Sequence, residues 1–64
     1  MSTVAEVYEE EGEFAMLLSD AEAQASTQWE QEFVADLNER WEKYGTKMFI
    51  TDKQIAQLER IAKE

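Results

Sequence analysis

The sequence contains no cysteine, no histidine and no proline, only two glycines, and no lysine or arginine before Arg40. Each absence removes something. Without cysteine no disulfide can staple the fold, and without cysteine or histidine a zinc site would have only carboxylates as protein ligands. The same absences, together with the lack of a glycine-rich phosphate loop, remove the nucleophile–base pairs and phosphate cradles on which covalent and phosphoryl-transfer catalysis rest. Paired carboxylates acting as general acid and base would need one of them in an apolar pocket that raises its pKa. A chain of 64 residues has little depth for such a pocket. No enzymatic activity, no cofactor and no metal is expected.

Long apolar runs are missing as well. Residues 1–19 are acidic where a secretory signal is basic, and their longest apolar run is Phe14–Leu18, short of a signal core. No stretch approaches the roughly 20 apolar residues that span a bilayer. A soluble, cytoplasmic chain without membrane contact is expected. Its size allows one domain, and a chain this short buries only about 60% of the surface exposed when unfolded. With disulfides and zinc set aside, oligomerisation or folding against a partner is the support that remains, so a homodimer is expected.

The charge is divided along the chain. Residues 1–39 carry eleven carboxylates and no base, residues 40–64 carry six bases and four acids, and the total is −9. A field of one sign over so much of a small molecule repels nucleic acid and anionic membrane and attracts basic surfaces. Direct nucleic-acid binding is therefore not expected. The run Glu9, Glu10, Glu11 and Glu13 lacks the alternating oxygen ligands and central glycine of a calcium loop. These four carboxylates and Asp20 are instead candidates for electrostatic contact with a basic partner.

What the sequence has in quantity is Ala, Glu, Gln, Lys and Leu, all good helix formers, so an all-α fold follows. The best-marked helix covers about 28–44, where Trp29, Phe33, Leu37 and Trp41 recur at intervals of four and Val34 and Tyr44 complete an apolar stripe. Thr27 and Glu30 have the spacing of a capping box, and Gly45 suits the positive-φ residue that closes many helices. Asp36 with Arg40 and Glu39 with Lys43 stand as acid-before-base pairs four residues apart. A second helix covers about 52–63, with Ile55, Leu58, Ile61 and Ala62 on one side, Thr51 and Gln54 as capping box, and Ile50 and Ile55 placed for a hydrophobic staple. The linker 45–50 is short enough for an antiparallel hairpin, with Met48 and Phe49 placed to plug its open end, or to form a brief extended piece. Residues 27–64 thus read as a helical hairpin.

Residues 1–26 form an acidic N-terminal segment, helical or partly disordered. Thr3 and Glu6 have capping-box spacing ahead of Val4, Val7 and Tyr8, and a break is expected near Gly12. Phe14, Leu17, Leu18, Ala21 and Ala25 then continue at helical spacing. That pattern fits a third helix packed on the hairpin, a recognition segment that orders on meeting a partner groove, or one long helix running on to Tyr44.

The aromatic stripe Trp29, Phe33, Leu37, Trp41 and Tyr44 is the candidate packing and protein-binding seam. Two tryptophans, a phenylalanine and a tyrosine present more apolar area than one twelve-residue helix covers, so the N-terminal segment or a second copy is expected to take the rest. From Trp29 onward, the pattern Trp29-Glu-Gln-Glu-Phe33, Leu37, Trp41, Tyr44-Gly45, then Ile50-Thr-Asp-Lys-Gln54, Leu58 and Ile61-Ala62 resembles the short acidic helical proteins that bacteriophages and prophages encode among their accessory and DNA-metabolism genes. The resemblance spans residues 29–64 and implies a non-catalytic protein that binds a host or phage protein. Three kinds of role follow as expectations: modulation or inhibition of a bacterial protein in the host cytoplasm, mimicry of DNA in the basic groove of a nucleic-acid-binding protein, and a structural dimer or assembly component.

Overall fold

The structure, a computed structural model, describes residues 2–63. Four helices account for most of it: α1 (Val4–Val7), α2 (Glu11–Gln24), α3 (Gln28–Tyr44) and α4 (Asp52–Ala62). Two short strands, β1 (Ser2–Thr3) and β2 (Phe49–Ile50), pair antiparallel with Ser2 opposite Ile50 and Thr3 opposite Phe49. The fold is all-α, with this small ribbon as the only sheet among the described residues. The Val4 N–H extends the pairing by donating to the Met48 carbonyl at 3.0 Å, so the start of the chain is tied to the linker between α3 and α4.

The helix starts follow the chemistry expected of them. Thr27 Oγ1 accepts from the Glu30 N–H (3.1 Å) while Glu30 Oε1 accepts from the Thr27 N–H (3.2 Å). Thr51 and Gln54 make the same reciprocal pair at 3.1 and 3.0 Å. Ahead of α1, Glu6 Oε1 accepts from the Thr3 N–H at 3.0 Å, and these bonds from Thr3 hold the Glu6 carboxyl below the usual glutamate range. Each box satisfies backbone donors that the first helical turn leaves unpaired. Asp36 and Arg40 close their exposed ion pair at 3.2 Å. Lys43 turns instead over the ring of Tyr44, 5.3 Å from its centroid.

The first helical break comes earlier than Gly12. α1 ends at Tyr8, whose backbone is extended, and α2 begins at Glu11 with Gly12 inside its first turn. The acidic run explains the shift. Glu11 and Glu13 lie in the first turn of α2, where the positive end of the helix dipole favours carboxylates. The second break, at residues 25–27, separates α2 from α3, so there is no single long helix before Tyr44.

α2 is the shared packing partner: it lies against α4 most extensively and against α3 next, while α3 and α4 meet only weakly. After α3, a 3-10 turn over Gly45–Lys47 and then β2 carry the chain away before α4 starts. The two helices of the hairpin are thereby joined less through each other than through the N-terminal third of the chain. The core confirms this placement, drawing Val4, Phe14, Leu18 and Ala21 from residues before Thr27 and Val34, Leu37, Met48, Ile50, Leu58 and Ile61 from those after it. A radius of gyration of 10.7 Å matches the about 11 Å of a close-packed chain of this length, which leaves no room for residues 2–26 as a trailing acidic tail.

Gly45 closes α3 with φ 58° and ψ −137°, a combination that side chains other than glycine rarely adopt. A Cβ added there would meet nothing within 4 Å. The penalty for Gly45→Ala is thus backbone strain alone, about 1–3 kcal/mol. Urea unfolding followed by circular dichroism is expected to show it, and an unchanged midpoint would mean that the turn relaxes to another conformation.

Candidate functional site

The periodicity that marks α3 as a helix does not give its buried face. At about 100° per residue each four-residue step over-rotates by about 40°, so Trp41 is turned about 120° away from Trp29. The two tryptophans cannot face one way. The buried residues on α3 are Glu30, Val34 and Leu37, and Trp41 and Phe33 pack partly buried beside them. Of the five residues expected in the seam, Leu37 lies in the core, Phe33 and Trp41 flank it, and Trp29 and Tyr44 stand outside, 55% and 53% exposed. The seam therefore runs Glu30, Val34, Leu37, Trp41. Of the two plug residues in the linker, Met48 is buried and Phe49 is 60% exposed.

Trp29 does not stand alone. Its ring stacks on that of Phe33, with centroids 5.2 Å apart and planes 7° from parallel. The pair borders a shallow groove of about 230 Å³ whose other wall, Thr51, Lys53, Gln54 and Gln57, comes from the start of α4. A second groove, of about 430 Å³, gathers Arg40, Tyr44, Lys47 and Phe49 over the buried Met48. The cations there compensate the negative end of the α3 dipole.

The acidic candidates are all on the surface. Glu9 and Glu10 lie in the bend between α1 and α2, and Glu11, Glu13 and Asp20 lie on α2, every one exposed. None lines the grooves described here. The carboxylates that do converge are Glu22 of α2 with Glu39 and Glu42 of α3, around a groove of about 340 Å³. Sequence reading did not single these out, since their convergence depends on how α2 lies along α3. Among the described residues no cluster of three or more acidic side chains is arranged to hold a metal ion, and no helix is long and apolar enough to cross a membrane.

One acid is buried. Glu30, only 4% exposed, accepts at Oε1 from the Ser26 N–H (3.0 Å), the Ser26 hydroxyl (3.1 Å) and the Thr27 N–H (3.2 Å). Its Oε2 lies 3.5 Å from the Arg60 guanidinium of α4. The capping box was visible in the sequence, but the burial and the partner thirty positions away were not. The Tyr8 hydroxyl is buried without a hydrogen-bond partner among the described residues. Burial first, and then the nearby Glu59 and Glu13 carboxylates, push this phenol above the usual tyrosine range. Its ring tilts against Phe14 at 5.6 Å, and Phe14 in turn against Trp41 at 5.0 Å, so this trio is core rather than site.

Comparison of the chain with protein-family models, with curated proteins and with solved structures gives no match in any of the three. The functional reading therefore rests on the surface itself.

Proposed function

We propose that this is a small non-enzymatic interaction protein, of the kind that phages encode, which binds a bacterial protein in the host cytoplasm and modulates or inhibits it. The observation that carries the reading is the near-parallel Trp29–Phe33 stack, more than half exposed at Trp29 although the core is closed without it. Tryptophan is the residue type most enriched among the few side chains that dominate binding energy. Stacking on Phe33 holds the indole in one orientation, which lowers the entropy lost when a partner immobilises it. The groove beside the stack adds the polar side chains Thr51, Lys53, Gln54 and Gln57, which can orient a partner.

The test is capture of a bacterial protein from lysate by the tagged chain, compared with its Trp29→Ala variant. Because Trp29 lies outside the core, the variant is expected to keep its melting temperature within a few degrees while losing the captured protein. Retention of the same protein by the variant would remove Trp29 from the function. Mimicry of DNA is the second reading, favoured by an α2 with four carboxylates and no base. It predicts capture that is indifferent to Trp29, abolished by competing DNA and steeply weakened by salt. Self-association through the same stack would appear as a dimer in sedimentation that Trp29→Ala returns to monomer.

A further inference from the structure

We propose that the groove between α2 and α3 is a docking site for a basic amphipathic helix of the partner protein. Its floor is apolar and made of small side chains, Ala25 of the connection with Val34 and Ala35 of α3, and its rim carries Glu22, Glu39 and Glu42. Among the described residues no lysine or arginine lines it. One exposed contact joins the two helices at the rim, where Asn38 Nδ2 donates to Glu22 Oε2 at 3.5 Å.

Helical geometry shows why this side is of one sign. On α3 the residues that line the groove beyond Val34 fall within an arc of about 100°, and both bases of that helix, Arg40 and Lys43, project outside it. α2 contributes no base at all. The occupant follows from charge and shape together. Two packed helices leave a trough that a third helix fills, the apolar floor takes leucine-like side chains, and lysine or arginine stems lie along it with their charged heads at the carboxylate rim. A second copy of the chain is a poor occupant, because each copy carries −9. Nucleic acid is a worse one.

The inference rests on the protein-binding reading but places a contact on a different face of α3, centred about 130° around the helix from Trp29. Its test uses the full chain and two labelled peptides of equal positive charge, a Leu/Lys amphipathic helix and a Lys/Gly peptide, followed by fluorescence anisotropy at low and at physiological salt. The Leu/Lys helix is expected to bind about tenfold more tightly than the Lys/Gly peptide. That preference should fall by about tenfold, or 1.4 kcal/mol, in the Glu39→Gln/Glu42→Gln double variant and in Ala35→Trp, which fills the floor. All three positions are exposed, so these variants are expected to fold, with circular dichroism as the check. Glu9→Gln/Glu10→Gln removes the same charge away from the groove and should change affinity less than about threefold. Equal losses in the two double variants, equal binding of the two peptides, or no effect of Ala35→Trp would each overturn the proposal. Trp29→Ala should leave peptide binding unchanged. If Trp29-dependent capture fails while the groove results hold, the role of Trp29 falls and this site stands; if peptide binding tracks Trp29 instead, this site falls and the interaction reading stands.

Discussion

Glu30→Ala is expected to destabilise the protein by about 2–4 kcal/mol. The estimate comes from the donors left behind, at about 1–3 kcal/mol for a donor left unsatisfied, since the bond from the residue-30 N–H to Thr27 Oγ1 survives the substitution. Glu30 Oε1 is the acceptor for two backbone N–H groups and one hydroxyl, and hydrogen bonds to a charged group contribute more than neutral ones. Arg60 adds less. Its side chain is half exposed, and a guanidinium that water can reach loses little when its partner goes. A domain of this length has a total stability of only about 3–10 kcal/mol, so the alanine variant is expected to lose a large share of it and to unfold at a much lower urea concentration.

Glu30→Gln separates the two contributions. It keeps the acceptor oxygen for Ser26 and Thr27 but gives up the charge facing Arg60, so a loss near 1 kcal/mol or somewhat more is expected. Urea titration by circular dichroism reads all of these, and Arg60→Met in both backgrounds completes a double-mutant cycle. A loss below about 1 kcal/mol for Glu30→Ala would show that water replaces the carboxylate at residues 26 and 27, and that the link between the start of α3 and the end of α4 is dispensable.

Glu30 also shows where sequence reading stops. Thr27, Thr51 and Thr3 each signalled a helix start because a capping box is local, closed within four residues by one hydroxyl and one acceptor. The ends of α3 and the start of α4 were legible for the same reason, as was the all-α class. The facing of α3 was not. Intervals of four and intervals of three give a helix equally well, but only the mixture Glu30, Val34, Leu37, Trp41 keeps to one side, and the row at intervals of four that carries the aromatic residues drifts off it. A glutamate at the head of the true row argued against it, since carboxylates are rarely buried without a partner, and that partner sits in another helix.

The acidic segment is a second case. Read along the chain, the eleven carboxylates of residues 1–39 have no base among them. In the fold, Glu6 closes a cap and Glu11 and Glu13 lie at the positive end of α2, so part of that charge stabilises helix starts. The groove carboxylates Glu22, Glu39 and Glu42 come from both sides of the break at residues 25–27. Local pattern could not assemble them, because their meeting depends on α2 crossing over to lie along α3.

α2 makes the last prediction follow. Phe14 is completely buried and joins Tyr8 to Trp41 through tilted ring contacts, linking the first bend, the central helix and α3. Phe14→Ala is expected to cost about 3–5 kcal/mol, from the transfer of the ring and the cavity it leaves, with each tilted pair adding to the area term. Trp41, larger but only partly buried, should cost less on truncation, the reverse of the order that residue size suggests. Phe14→Leu keeps most of the volume and is expected to lose about half as much or less. Urea midpoints by circular dichroism test the order, and in the Phe14→Leu variant Trp41 emission should shift toward that of hydrated indole while Trp29, already exposed, stays put. If Phe14→Ala proves milder than Trp41→Ala, the acidic first third of the chain is an accessory to a hairpin that stands without it. If the order holds, that third is the middle of the molecule, and the groove it makes with α3 exists only because Phe14 anchors α2 there.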